Sequence, residues 1–213
     1  MTHHAPRPGR KALLTREMIA DAALANGFES LTMTGVAERL GVSHAALYTH
    51  VADRSDLVLA AAERLGQVVT WPEHGDDWVA LLRAEAFVLW DAFYQYPGLI
   101  AALDTADRIP ENFQEHLRAV HGHLVVLGFD AGKALLAIDI VYDLAVDSAQ
   151  RSAQLHTRTE SEVQQLGEEW QAAYDDDLGD LMLEAITGEP VVWFQRKLDV
   201  VLAGIEARLA PQE

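Results

Sequence analysis

The sequence of 213 residues contains no cysteine, which excludes disulfide bonds and cysteine-ligated metal sites. It also lacks any run of the roughly 18 apolar residues that a membrane-spanning helix needs. The first residues, MTHHAPRPGRK, have no apolar core of the kind found in signal peptides. We therefore expect a soluble, cytoplasmic protein that makes no contact with a membrane.

Basic residues are also scarce, because 16 Lys and Arg stand against 33 Asp and Glu, for a net charge of −17. The first 56 residues hold six basic and six acidic side chains, so the whole excess lies after them. An acidic C-terminal part repels phosphates, which leaves only the N-terminal part to approach a nucleic acid. The alternative is that the acidity keeps the protein soluble, and both explanations are compatible.

No alternating strand pattern and no repeat of fixed period is present, so the chain is predicted to be all-α. The most informative stretch is LTMTGVAERLGVSHAALYTHVADRSDL, residues 31–57. Two short segments with helical apolar spacing flank Gly41-Val42-Ser43. Thr32 and Ser43 precede them as N-caps, and Gly41 ends the first helix. This is the pattern of a helix-turn-helix.

From Arg16 to about Leu59 the sequence resembles the TetR-like (tetracycline-repressor) family of transcription regulators. The resemblance is carried by residues of three predicted helices and of the turn between the last two: Ile19, Ala22, Ala23, Gly27, Phe28, Leu31, Thr32, Val36, Ala37, Leu40, Gly41, Val42, Ser43, Ala46, Leu47, Tyr48, His50 and Leu57. Val51 stands where the family usually has Phe, and Arg54 where it usually has Lys. Both replacements keep the apolar or cationic character of the position.

The resemblance implies two domains. Residues 1–57 are the expected three-helix DNA-binding domain with the helix-turn-helix, and residues 58–213 the larger helical domain for ligand binding and dimerisation. A helix from Asp53 to about Val69 is predicted to connect them. Residues 156–167 are polar and are predicted as a mobile loop or as the start of a helix that reaches Ala185. The last helix is predicted to follow Pro190 and to end near Leu209.

The recognition helix is predicted over His44 to His50, with an exposed face that includes Thr49. His44 is expected to donate to a guanine edge and Ala45 to contact a thymine methyl. Ser43 and Thr34 are candidates for phosphate contacts through their hydroxyls. No Arg or Lys lies on this helix, which gives more weight to dimerisation and to the basic arm that precedes it.

The family resemblance and the basic N-terminal arm indicate further DNA contacts. The resemblance implies that Tyr48, His50 and Arg54 contact phosphates. Arg10 and Lys11, with Arg7, belong to a basic N-terminal arm suited to phosphates or a minor groove. An arm that never becomes ordered is equally consistent with the sequence.

Two helices have the composition of interface elements. The last helix carries an apolar stripe of Val191, Phe194, Leu198, Val201, Leu202 and Ile205, and the helix that begins at Ala131 is apolar on most of its circumference. The resemblance implies that both pair with their copies in a homodimer, which would place two recognition helices about 34 Å apart on a palindromic DNA operator. Burial inside the protomer is the alternative.

The resemblance also implies a ligand cavity in the C-terminal domain. The candidate ligand-binding residues are aromatic and polar side chains on helices that could enclose it: Phe87, Trp90, Tyr94, Phe113, His116, Asp139, Tyr142 and Asp143. Asp139, Asp143 and Asp147 form one polar stripe, which favours a cationic ligand if it faces the cavity. The alternative, which we favour because charged side chains are mostly exposed, is that the stripe faces solvent.

Neither a metal site nor a cofactor site is predicted. His116 and His123 lie two helical turns apart, about 10.5 Å, too far for one ion, and His121 points elsewhere. No catalytic motif is present. The predicted function is therefore a ligand-responsive DNA-binding regulator, most simply a repressor that an aromatic or cationic small molecule releases. The alternatives are a helical ligand-binding protein that does not bind DNA, or an enzyme that uses the region of His116, Asp139 and Asp143.

Overall fold

The computed structural model describes residues 13–174 and 177–211, and the regular structure in both ranges is entirely α-helical. This confirms the all-α prediction. Arg10 and Lys11 lie outside the described residues. The helices are α1 (Arg16–Asn26), α2 (Met33–Leu40), α3 (His44–Leu47), α4 (Arg54–Val68), α5 (Trp78–Gln95), α6 (Leu99–Leu103), α7 (Glu111–Val126), α8 (Ala131–His156), α9 (Glu160–Ala172), α10 (Asp177–Thr187) and α11 (Pro190–Arg208). Within these ranges, no helix has both the length and the hydropathy that crossing a membrane requires.

Local hydrogen bonds explain where the first four helices begin. The side chains of Thr15, Thr32, Ser43 and Asp53 each accept a hydrogen bond from a backbone amide in the first turn of the helix that follows. Such caps satisfy amides that have no partner inside the helix. The predicted N-caps Thr32 and Ser43 and the extent of the connecting helix are therefore confirmed.

The N-terminal core forms where α1 packs along α4 and α2 closes one side. Ile19, Phe28, Val36 and Leu47 are buried in it. The core continues along α4 to Leu65 and also takes side chains from α6. The side chains of α4 thus belong to this core well past residue 57, while the domain boundary at that residue stays a prediction.

The C-terminal core is built chiefly by α5 and α8, with α7 and α11 packed against α8. Its interior is almost entirely apolar, and Leu82, Leu124 and Ile138 are among its buried side chains. The helices α9 and α10 pack mainly on each other and reach the rest of the protein through α11.

Two predicted elements are corrected. The recognition helix is α-helical only to Leu47, and residues 48–50 form a turn in which the His50 and Val51 amides both donate to the Leu47 carbonyl. The polar stretch after His156 is regular, because Thr159 and Glu162 form a capping box that starts α9. This stretch therefore belongs to α9, which ends at Ala172, and α10 is a separate helix from Asp177.

The apolar stripe of α11 faces the protomer's own core. Phe194, Leu198, Leu202 and Ile205 are buried, and Val191 and Val201 are partly buried against the same core. Phe194 meets the Phe87 ring edge-on at a centroid distance of 5.4 Å. These four side chains are therefore buried inside the protomer, as the alternative interpretation predicted, and cannot form a dimer contact.

Candidate nucleic-acid interface and ligand cavity

The turn between α2 and α3 sets the direction of the short third helix. Gly41 adopts a left-handed conformation, φ 63° and ψ 34°, that costs little for a residue without Cβ. The Val42 amide donates to the Ala37 carbonyl, and the Ser43 hydroxyl accepts from the Ala46 amide at 3.2 Å. The Ser43 side chain therefore caps α3, and it lies exposed beside the start of that helix.

The outer face of α3 and of the following turn presents the predicted contact residues to solvent. His44, Ala45, Thr49 and Thr34 are exposed. Tyr48 is 51% exposed although its ring is large, and it meets the His44 ring edge-on at a centroid distance of 5.2 Å. These two rings and the Ala45 methyl make one accessible surface of the size that a major groove admits.

Behind this face, an ion pair fixes the turn. The Arg16 guanidinium donates to both carboxylate oxygens of Asp56, at 2.6 and 3.0 Å, and to the His50 carbonyl at 2.8 Å. Asp56 also accepts from the Ala52 amide. The hydrogen bonds from Arg16 hold the pKa of Asp56 below its usual range. His50 is half-buried, so its position depends on α1 and α4 together.

Arg54 lies at the first position of α4, where it bridges several elements. Its Nε donates to the Leu31 carbonyl at 3.1 Å, and one terminal nitrogen lies 3.5 Å from the Thr105 hydroxyl. The neighbouring Ser55 hydroxyl accepts from the Asp107 amide at 3.2 Å. The start of α4 is thus hydrogen-bonded to residues 104–109, the segment between α6 and α7.

That segment also forms part of the wall of a cavity of about 650 Å³, a volume suited to a drug-sized molecule. The other walls come from α4, α5, α6, α7 and α8. Four of the predicted ligand-binding residues line it: Phe113, Asp139, Tyr142 and Asp143. Asp139 and Asp143 are exposed and also line the cavity, so they lie at its open edge, whereas Asp147 pairs with Arg151 outside the lining.

Three predicted aromatic residues lie elsewhere. Phe87 and Trp90 pack around Phe194, with Trp90 nearly parallel to it at 5.8 Å, and Tyr94 stacks on Trp90 at 4.8 Å. These rings are absent from the cavity lining. They belong to the apolar stripe of α5 and pack toward α11. Their helical spacing therefore reflects burial in the protein core.

A buried carboxylate stands behind the cavity wall. Glu85 is 0% exposed, and its Oε2 accepts a hydrogen bond from the Tyr142 hydroxyl at 2.9 Å. The same oxygen lies 2.8 Å from Nε2 of His116, whose ring stacks on Trp71 at 3.8 Å. Burial, and then the negative charge of Glu85, raise the pKa of Tyr142 far above its ordinary value. Tyr142 therefore stays a hydrogen-bond donor at any physiological pH.

The three histidines of α7 bind different partners. Nε2 of His116 lies beside Glu85, Nε2 of His121 lies 3.0 Å from the Ala131 carbonyl, and Nε2 of His123 lies 2.8 Å from the Gly75 carbonyl. Each ring is oriented by its own neighbour. Across the described residues, no group of three or more metal-ligating side chains comes together.

The cavity and the helix-turn-helix share α4. Ala62, Leu65 and Gly66 of α4 and its C-cap residue Val69 line the cavity, while Leu57 and Leu65 of the same helix lie in the N-terminal core. One helix therefore belongs both to the cavity wall and to the core behind the exposed face of α3.

Sequence reasoning missed Glu85, Asn112 and the segment 104–109. Glu85 was detectable, because it occupies the buried stripe of α5 between Leu82 and Leu89, where an acid needs a partner. The partner of Asn112 is the Glu63 carbonyl, 49 residues away, and no local pattern indicates such a contact.

An exposed helix-turn-helix, joined by one helix to a domain with an apolar cavity, is the architecture of a helix-turn-helix regulator. Residues 17–61 match the family model described as bacterial regulatory proteins, tetR family. The chain is 27% identical over 188 residues to the tetracycline repressor protein class C of Escherichia coli, covering 84% of this chain and 83% of that protein.

Solved structures share the fold over nearly the whole chain. TetR from Acinetobacter baumannii AYE is 26% identical, with a TM-score of 0.65 and coverage of 91% of this chain and 97% of that one. ActR from Streptomyces coelicolor, in complex with actinorhodin, is 22% identical, with a TM-score of 0.74 and coverage of 93% and 98%. The chain is therefore similar to TetR-type regulators in its N-terminal family match and in its fold, as the sequence resemblance predicted.

Proposed function

We propose that this chain is a ligand-responsive transcriptional regulator of the TetR type. It binds a palindromic DNA operator as a homodimer, acts as a repressor, and is released by a small molecule that enters the cavity. The observation that carries the proposal is the position of α4, which lines the cavity near its C-terminal end and packs in the core that supports the helix-turn-helix.

The distribution of charge supports DNA binding at one end of the molecule. The excess of acidic side chains lies after residue 56, so phosphates are repelled by the C-terminal domain and tolerated only at the N-terminal one. The exposed hydroxyl and imidazole groups of Tyr48, Thr34 and His44 supply hydrogen bonds to backbone and bases.

The hydrogen bonds around α4 support coupling between the two sites. The segment 104–109 lines the cavity at every position except Thr105. Its Thr105 and Asp107 are hydrogen-bonded to Arg54 and Ser55 at the start of α4. Near the other end of α4, Asn112 donates to the Glu63 carbonyl and Arg108 lies 3.5 Å from the Glu63 carboxylate. A ligand that displaces this segment would reorient α4 and separate the two recognition helices of a dimer.

The alternative, an enzyme that uses His116 with Asp139 and Asp143, is less well supported. Nε2 of His116 is engaged by buried Glu85, so it is not free to transfer a proton to a molecule in the cavity.

The test is a mobility-shift titration of the purified protein with the DNA upstream of its own gene, at several salt concentrations. The proposal requires saturable, salt-dependent binding to one palindromic site. Replacing Arg54 or His50 by Ala should weaken binding to all sequences alike, and the Arg54 variant should lower the salt slope by about 1. His44→Ala and substitutions of Ala45 should change the base preference instead.

Arg208→Ala is the matched control, since it removes an exposed cation from the last turn of α11. It should leave both affinity and salt slope unchanged. Binding that does not distinguish the palindrome from unrelated DNA would contradict the proposal.

A further inference from the structure

We propose that the cavity selects an organic cation: a molecule with an apolar, largely aromatic body and at least one permanent or protonated positive charge. The inference rests on the proposed function, since it gives the chemical class of the effector. It draws on the charge of the cavity wall, on its rings and on the buried acid behind it.

The charged groups of the wall are nearly all acidic. Asp104, Asp107, Asp139 and Asp143 line the cavity, against a single cation, Arg108. Arg108 lies 3.5 Å from the carboxylate of Glu63, which offsets its charge. An anionic ligand would therefore meet four carboxylates and one partly neutralised guanidinium, a strongly unfavourable potential.

Asp139 and Asp143 are the two acids best placed to meet a ligand. They lie one turn apart on α8, on the cavity side of the helix. Neither carboxylate forms a hydrogen bond or an ion pair with any residue in the described part of the chain. Asp147, the next acid of the stripe, is bound by Arg151 and lies outside the lining. The two carboxylates are thus free to accept hydrogen bonds or charge from a bound molecule.

The remainder of the wall is mostly apolar and includes the rings of Trp71, Phe93, Phe113 and Tyr142. Aromatic faces attract cations through their quadrupoles, most strongly where water is excluded. An apolar wall with rings therefore suits the body of the ligand, and the acids at its edge suit the charge.

Glu85 adds a negative group on the inner side. It is fully buried directly behind Tyr142, and its second oxygen, Oε1, makes no hydrogen bond with any described residue. A buried acceptor without a donor is unfavourable, and this one belongs to the acid that is hydrogen-bonded to Tyr142 of the cavity wall.

The experiment compares two probes of the same shape and opposite charge, tetraphenylphosphonium and tetraphenylborate. Binding to the full chain is measured by calorimetry and by quenching of tryptophan fluorescence, since Trp71 lines the cavity. We expect the phosphonium to bind at least about tenfold more tightly, with a preference that shrinks as salt is added.

The double variant Asp139→Asn with Asp143→Asn should reduce phosphonium affinity about tenfold and leave the thermal midpoint unchanged, since both side chains are exposed at the cavity edge. Asp147→Asn is the control, and it removes a charge of the same stripe outside the cavity. No phosphonium binding, equal or tighter borate binding, or an equal loss in the control variant would overturn the proposal.

A mobility-shift assay on the same preparations keeps the two proposals separate. Operator binding with no charge preference in the cavity overturns the cation inference alone. A charge preference that depends on Asp139 and Asp143 without operator binding supports the inference and contradicts the proposed function.

Discussion

The side-chain amide of Asn112 donates a 2.7 Å hydrogen bond to the backbone carbonyl of Glu63. It joins the first turn of α7 to α4 three residues before Gly66, where an added Cβ would overlap the Asn112 amide nitrogen and displace that side chain. The Trp71 indole donates to the Gly66 carbonyl at 2.9 Å. The end of α4 is therefore held by side chains of the cavity wall.

Asn112→Ala should loosen the last turns of α4. The loss of one hydrogen bond costs about 1 kcal/mol of unfolding free energy, and hydrogen exchange should accelerate in residues 63–69. Gln114→Ala is the matched control, because its amide donates to the Ile109 carbonyl and does not contact α4. Equal exchange rates at residues 63–69 in the two variants would show that the Asn112 bond does not hold this end of the helix.

Gly98→Ala should destabilise the protein more than Gly41→Ala. Both glycines have positive φ, 81° and 63°, so each substitution costs about 1–2 kcal/mol in backbone strain. A Cβ at Gly98 would also lie 3.0 Å from the backbone nitrogen of Glu29, whereas at Gly41 it would meet nothing within 4 Å. The added overlap should raise the cost at Gly98 by about 1–3 kcal/mol. Urea denaturation of both variants measures the difference, and equal midpoints would contradict it.

Asp56→Asn should remove part of the acid sensitivity of the protein. Arg16 depresses the pKa of Asp56 in the folded state. The stabilisation is therefore present above the unfolded-state pKa near 3.8 and is lost as pH falls through the lower folded value. At pH 7 the variant should lose about 1 kcal/mol, a figure already reduced for solvent screening.

As pH falls below about 4, the stabilities of the Asp56 variant and the wild type should begin to converge, and the difference should disappear below the depressed folded-state pKa of Asp56. Denaturant unfolding from pH 7 to 3 measures this. Asp139→Asn is the control, because it removes an aspartate without a partner. The difference in unfolding free energy between this variant and the wild type should not show the change with pH expected for Asp56→Asn. A constant difference between wild type and Asp56→Asn at all pH values would show that the ion pair is not the cause.

Local sequence was sufficient for elements whose ends depend on neighbouring residues. Thr15, Ser43, Asp53 and Asp77 begin helices because their side chains bind amides two or three residues onward, which a sequence pattern predicts. The capping box of Thr159 and Glu162 is equally local. It was missed because the residues after it lack a strong apolar stripe.

Contacts between distant residues were not predictable in this way. The stripe of α11 indicates burial but not the partner, and Phe194 meets Phe87 and Trp90 of α5. For the same reason Phe87, Trp90 and Tyr94 of α5 were assigned to the cavity, whereas α5 lines it with Leu89, Ala92 and Phe93. Periodicity identifies the buried face of a helix and leaves open what covers it.

The proposed dimer needs apolar surface that the protomer leaves uncovered, and the buried stripe of α11 does not supply it. Leu136 and Ile140 of α8 and Val192 and Val200 of α11 are exposed, at 46% for Leu136 and 74% for Val200. These side chains lie on the same two helices that the family resemblance implies for the interface. A second copy that covers them would gain about 25 cal/mol for each Å² of apolar surface removed from water.

Leu136→Glu and Val200→Glu should therefore convert the protein to monomers in light scattering after size exclusion, because each would bury a carboxylate without a partner. Operator affinity should fall with dimer content, since a single recognition helix reads only half a palindrome. Val126→Glu is the control: Val126 is 80% exposed at the end of α7, outside both helices. A monomeric wild type would contradict the proposed dimer. A control variant that dissociates while the other two stay dimeric would place the interface elsewhere.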